Sequence, residues 1–260
     1  YKYIKIIESH TQMTNSVKIF LYSFLLILFA RCDNSIIYNN EIYDQSSTEI
    51  KDDNNNKNFI SPNNKSYSFL ALGDSYTVGE GVSYEESWPS QFVDYALERG
   101  IDFKNPELIA QTGWKTYDLL NAIRSSNLSV KYDFISLLIG VNNQFNSRPL
   151  IEFEDDLNEI LTEINYLKKG NSKVIVISIP DWGYSPYGSN YDRERVSDEI
   201  DKFNNILKKF SEQNNLNFVD VTLISRLAIK EPNLIAEDNL HPSELMYSEW
   251  VKKIYESWIN

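Results

Sequence analysis

The chain holds one cysteine, Cys32, and two histidines, His10 and His241, in 260 residues. A lone thiol cannot close an internal disulfide, and so few soft ligands leave no cluster of the kind that holds zinc or an iron–sulfur centre. No metal is therefore expected. Positive charge is also short: 25 Lys and Arg stand against 37 Asp and Glu, for a formal net charge of −12. That balance argues against nucleic acid or an anionic membrane surface as the partner of the folded body, since either would be repelled over about a Debye length. Also missing are a Gly-x-Ser-x-Gly elbow, a phosphate-binding Gly-Lys-Ser/Thr loop, and a third glycine after Gly79, Glu80 and Gly81 that would complete a dinucleotide fingerprint. Nucleotide cofactors find no support.

Long apolar runs are scarce, and the one that matters covers residues 19–30, with Lys18 as a positive flank. As a helix it would span about 18 Å, well short of the ~30 Å hydrocarbon core, so a cleaved signal peptide is expected rather than a membrane span. Met13 stands at a natural distance upstream for an initiator, which would make residues 1–12 an upstream extension. The run ends in Leu28, Phe29, Ala30, Arg31 and Cys32, which resembles the lipobox of bacterial lipoproteins, where the cysteine is acylated. Arg31 departs from that pattern, in which a small residue precedes the cysteine. The resemblance implies an exported protein, either tethered to a membrane through Cys32 or secreted.

Residues 32–66 are crowded with Asn, Asp, Ser and Lys and show no hydrophobic period. Such a segment buries too little apolar surface to offset its ordering entropy, so a disordered tether is expected. The expected organisation is residues 1–31 as signal peptide and extension, 32–66 as tether, and 67–260 as one domain large enough for a sizeable core.

Within 67–260 short apolar runs alternate with helical periods, the pattern of a parallel sheet covered on both faces. The spacing predicts strands over 68–72, 108–111, 134–139, 174–179 and 218–221. Leu157, Ile160, Leu161 and Ile164 recur at helix spacing, as do Val196, Ile200, Phe203, Leu207 and Phe210, and Tyr247, Trp250, Val251, Ile254 and Trp258. Those stripes are core. Five strands fit an α/β fold, a three-layer α/β/α sandwich of flavodoxin-like type, in which ligands sit at the carboxyl ends of the strands.

The residues at those strand ends form a chemical set. Gly73, Asp74, Ser75, Tyr76 and Thr77 make a glycine-led turn that presents a serine hydroxyl, a weak nucleophile until a base takes its proton. His10 lies in the segment expected to be removed, which leaves His241 as the base, and Asp238 three residues earlier can reach its ring and fix the tautomer. Gly113 after the second strand offers an unobstructed N–H, Asn142 after the third offers a side-chain amide, and Ser75 offers its own N–H. Together these are candidate donors to a tetrahedral oxyanion. Asp181 is a rival acid for His241, though far from it in sequence. Trp114, Trp182, Tyr184 and Tyr187 are candidate substrate contacts for an acyl chain or a sugar ring, and packing within the 180–187 loop is the equal alternative.

Each block alone is also an ordinary structural device: Asp and Ser favour helix caps, Gly ends strands, and His-Pro can open a helix. Together and in this order, Ser75, Gly113, Asn142, then Asp238 with His241 resemble the SGNH, or GDSL, hydrolase superfamily over about residues 68–260. That resemblance implies the three-layer fold, a Ser75–His241–Asp238 triad, the oxyanion roles just given and no cofactor. Tyr76 stands where many members have leucine, and Asn143 where aspartate is frequent. The expected activity is hydrolysis of a small-molecule, glycan or lipid carboxylic ester, with His241 as general base. The alternatives are transfer of the acyl group to a sugar by the same fold, and a noncatalytic surface lipoprotein that binds glycans.

Overall fold

A computed structural model describes residues 65–126, 128 and 130–260. The expected signal peptide, Cys32 and all but the last two residues of the expected tether lie outside the described residues. Five strands, β1 (Phe69–Gly73), β2 (Glu107–Ala110), β3 (Tyr132–Leu138), β4 (Lys168–Ile177) and β5 (Asn217–Val219), pair in the order β2-β1-β3-β4-β5. Every pairing is parallel. All five residues of β1 and six of the seven in β3 are buried, which is why both read as nearly unbroken apolar runs rather than alternating ones. Phe69 stacks on Phe134 between them, with ring centroids 4.4 Å apart.

Helices cover both faces. On one, α2 (Trp88–Leu97) packs against α8 (Glu244–Ile259). On the other lie α3 (Thr116–Ser125), α5 (Leu150–Leu167) and α6 (Arg193–Gln213), with Phe153 of α5 against Phe203 of α6. The three helical stripes expected from the sequence face the sheet: Leu157, Ile160, Val196, Ile200, Leu207, Tyr247, Trp250 and Val251 are all buried. Short helices α1 (Ser75–Val78), α4 (Val141–Phe145) and α7 (Thr222–Ser225) follow β1, β3 and β5 at the carboxyl edge.

Every strand end is displaced from the sequence expectation, most by a residue or two, and two of the displacements have a clear cause. β4 starts at Lys168, six residues early, because the polar stretch before Val174 pairs Lys168 with Tyr132 and then bulges, so that Lys173 is the next partner, opposite Phe134. β5 stops at Val219, since the Ser178 hydroxyl accepts the Val221 and Thr222 N–H groups and draws the chain off the ladder.

In this strand order the chain leaves β1 outward to β2 and returns to β3. The crevice outside the carboxyl ends of β1 and β3 is therefore the topological switch point, where ligands bind in open α/β sheets. Ser75 follows the first of those strands and Asn142 the second.

Candidate active site

Ser75 owes its position to the two residues before it. A Cβ on Gly73 would lie 2.2 Å from Thr77 Oγ1 and 2.5 Å from the Leu138 carbonyl, so only glycine lets the chain turn this tightly out of the sheet. Asp74 is the N-cap of α1, its Oδ1 accepting the Tyr76 N–H at 3.1 Å. Ser75 is then the first helical residue, and its own N–H has no intrahelical acceptor.

The Oγ of Ser75 lies 3.0 Å from His241 Nε2, and His241 Nδ1 lies 2.6 Å from Asp238 Oδ2. Chain positions separated by 166 residues thus meet in one hydrogen-bonded line. Asp238 serves the turn as well as the ring: its Oδ1 accepts the N–H groups of Leu240 and His241, each at 2.9 Å. Asn239 takes the left-handed conformation this needs, at φ +67°. Burial pushes the Asp238 carboxyl up, but the His241 ring and the two backbone N–H groups outweigh it and hold the group below its ordinary value. An ionised Asp238 cannot donate, so Nδ1–H donates to it, and Nε2 is left to accept the Ser75 hydroxyl proton.

His241 does not cap a helix. Ser243 caps α8, its hydroxyl accepting the Met246 N–H, while the Ile235–Pro242 bridge and the Ala236 N–H to His241 carbonyl bond hold the turn in place. Tyr76 sits edge-on to the imidazole, with centroids 5.6 Å apart, and packs on Trp250 behind it. The residue that stands in place of leucine thus walls the back of the base.

The oxyanion candidates stand on three loops at the carboxyl edge of the sheet. Asn142 lies in the first turn of α4 and donates one amide hydrogen to the Trp114 carbonyl at 3.0 Å, which ties it to the Gly113 turn and leaves its second amide hydrogen for a ligand. Gly113 has φ +86° and stands exposed. Asn143 is buried and makes two bonds to Thr116: its Oδ1 accepts the backbone N–H at 3.0 Å and its Nδ2 donates to the hydroxyl at 2.8 Å. It locks α4 to the start of α3, and so sets Asn142 beside Trp114.

Asp181 does not bond the base. It is enclosed by the Gly183 N–H, the Ser197 hydroxyl and Arg226 Nε at 2.9 Å, where it anchors the aromatic loop. In that loop Trp182 is only 5% exposed and donates its indole N–H to Gln144 Oε1 at 2.8 Å, so it fills the loop's centre instead of offering an open face. Tyr184 lies under the Arg193 guanidinium. Tyr187 is half-buried, bonds its hydroxyl to that of Tyr191 at 2.9 Å, and donates its N–H to the Asn239 carbonyl beside the triad. Phe145, exposed at the end of α4, packs edge-on to Trp182. Phe145 and Tyr191 were not singled out in the sequence, and their only signal there is aromatic character near the Asn142 and Tyr187 positions. Among the described residues no group of three or more His, Cys, Asp or Glu is placed to hold a metal ion.

Comparison with known proteins bears on the family and the fold. The model of the GDSL-like lipase/acylhydrolase family matches residues 71–248. No sequence among curated proteins matches. Among solved structures the chain is similar to TesA (14% identity, TM-score 0.58, covering 73% of this chain and 97% of that one). It is similar to Axe2, an acetylxylan esterase from Geobacillus stearothermophilus (19%, 0.57, 74% and 93%). It also resembles the psychrotrophic esterase EstA from Pseudoalteromonas sp. (18%, 0.57, 74% and 96%). At these identities the structural likeness is one of fold.

Proposed function

The chain belongs to the GDSL-like lipase/acylhydrolase family, and from that premise we propose that it is a serine esterase that cleaves a carboxylic ester through an acyl-enzyme on Ser75. The observation that carries this reading is the line Ser75 Oγ, His241 Nε2, His241 Nδ1, Asp238 Oδ2, with its contacts of 3.0 and 2.6 Å. In the first half-reaction the Ser75 oxygen attacks the ester carbonyl while its proton passes to Nε2, and Asp238 stabilises the imidazolium that results. The carbonyl oxygen becomes an oxyanion, for which the N–H groups of Ser75 and Gly113 and the second amide hydrogen of Asn142 are the proposed donors. Collapse of the tetrahedral species breaks the bond to the leaving oxygen, which takes the proton from Nε2 and departs as alcohol. Water then attacks the acyl-enzyme by the same route, giving up a proton to Nε2, and Ser75 recovers it as the acid leaves.

We further propose that the chain is exported, with residues 1–31 as signal peptide and upstream extension, and is either tethered through Cys32 or secreted. Loss of membrane association in a Cys32→Ala chain is its measurement.

The deciding test of the chemistry compares wild type with Ser75→Ala on short- and long-chain aryl esters and acetylated sugars. We expect kcat to fall by a factor approaching ~10⁶. Full activity in the variant overturns the assignment of the nucleophile. Product analysis with sugar acceptors present distinguishes hydrolysis from acyl transfer, and a wild-type chain inert on every ester would favour the glycan-binding alternative.

A further inference from the structure

We propose that the loop of residues 79–81 is a positioning device acting on both sides of the site: Glu80 fixes the turn that carries Gly113, and Gly81 backs the Asp238 oxygen that orients His241. This rests on the triad reading above. The loop is rooted on the nucleophile, because the N–H groups of Gly79 and Glu80 both donate to the Ser75 carbonyl at 3.0 Å. Gly79, at φ +84°, ends α1 and turns the chain toward the rest of the site.

One arm is the Glu80 side chain. Its Oε2 accepts the Thr112 hydroxyl at 2.6 Å, and Thr112 immediately precedes Gly113. Residues 111–113 are all exposed, and nothing lies within 4 Å of where a Gly113 Cβ would be. The turn's own bond, Trp114 N–H to the Gln111 carbonyl, is long at 3.2 Å. A charge-assisted bond from Glu80 is therefore the tie between this turn and the nucleophile helix. An oxyanion donor works only if its N–H already points at the developing charge, so slack here costs rate rather than affinity.

The other arm is the missing side chain of Gly81, at φ +88°. A Cβ there would stand 2.9 Å from Asp238 Oδ2 and 3.0 Å from Ala236 Cβ. That oxygen is the one bonded to His241 Nδ1, and the other oxygen of the same carboxylate already holds two backbone N–H groups. The carboxylate has no room to swing without losing one of those bonds. Ala236 cannot yield freely either, since its N–H is bonded to the His241 carbonyl at 2.8 Å.

A merely structural role would make Gly81 a glycine only because of its positive φ, and Gly100 supplies the control. It has φ +77° and nothing within 4 Å of its Cβ position, so Gly100→Ala meets the same kind of backbone strain without touching the site. The experiment uses the full chain and measures kcat and KM on a short aryl acetate, with NMR detection of the low-field Nδ1 proton of His241. Both glycine variants should lose thermal stability. Only Gly81→Ala should lose kcat, on the order of 10- to 100-fold with KM nearly unchanged, and shift or lose the low-field proton. Glu80→Ala should lower kcat about tenfold, with KM and the proton unchanged, and Glu80→Gln, which keeps an acceptor oxygen, should restore most of it. A Gly81→Ala chain that matches Gly100→Ala in kcat and in the proton resonance, or a Glu80→Ala chain as fast as wild type, overturns the proposal. If wild type hydrolyses no ester, the hydrolytic reading fails by itself, while the resonance in Gly81→Ala against Gly100→Ala still decides whether Gly81 positions Asp238.

Discussion

Next to the nucleophile sits a carboxyl group that the proposed reaction does not consume. Asp74 is completely enclosed, and although its Oδ1 caps α1, its Oδ2 has no protein partner among the described residues. Burial raises its pKa from 3.8 to about 7, against the opposing pull of the N–H groups of Tyr76, Asp74 itself and Gly140. The sign of the consequence follows from proton counting. Between about pH 4 and 7 the folded chain keeps a proton on Asp74 that the unfolded chain has released, so this residue's contribution to stability falls as pH rises through that window. Above it the full cost of an ionised, buried carboxylate is present. Asp74→Asn retains an acceptor for the cap and cannot ionise. Its stability relative to wild type should therefore improve steadily from pH 4 to pH 8, by up to roughly 4 kcal/mol at the upper end. Urea unfolding at the two pH values measures this, and an offset that stays constant with pH would show that Asp74 does not titrate in the folded protein.

Among elements, the pair α3 and α4 shows how a site residue depends on one that carries no chemistry. Asn143 satisfies the buried Thr116 N–H and hydroxyl together, and Thr116 in turn donates to Asp156 of α5 at 2.5 Å. Asn143→Ala strands a buried backbone donor at the start of α3, which costs about 1–3 kcal/mol, and it frees α4 to move Asn142 off the Trp114 carbonyl. We expect a lower urea midpoint together with a lower kcat; a lower midpoint with kcat intact would mean that Asn142 holds its place unaided. This tie was not legible in the sequence, because an asparagine bonded to a backbone 27 residues away leaves no local pattern. β1 and β3 were legible because burial on both faces demands continuous apolar runs, whereas the polar start of β4 and the early end of β5 depend on a bulge and on the Ser178 hydroxyl. The positions of Ser75, Gly113 and Asn142 could be anticipated because a parallel sheet carries strand-end residues to one edge, and His241 because it is the one histidine of the domain, three residues after Asp238. The enclosure of Trp182 could not, since it turns on Gln144 of a separate helix.

The two ends of the sheet differ in charge. Lys65, Lys131, Lys169 and Lys173 gather at the amino-terminal end of β1, β3 and β4, where three of them line a cleft of about 730 Å³ together with Tyr67 and Trp258. Part of that charge is answered locally, as Asp133 pairs with Lys169 and lies 3.9 Å from Lys65. The opposite, carboxyl edge carries Glu80, Glu237 and Asp238, with Asp118 answered by Lys115 at 3.7 Å, and the chain as a whole has a formal charge of −12. An anionic ester approaching that edge meets like charge in the local field and in the net field alike. Added salt screens both, since the Debye length shrinks from about 30 Å at 0.01 M to about 8 Å at 0.15 M. The value of kcat/KM for a negatively charged aryl ester should therefore rise severalfold over that range, while that of a neutral ester of the same size stays flat. Comparing the two substrates in one salt series cancels any effect of salt on the fold or on the chemical step. A rate for the anionic ester that falls with salt would mean that cations near the mouth, with Lys115 and Arg148 the nearest in sequence to the oxyanion loops, govern approach in place of the carboxylates.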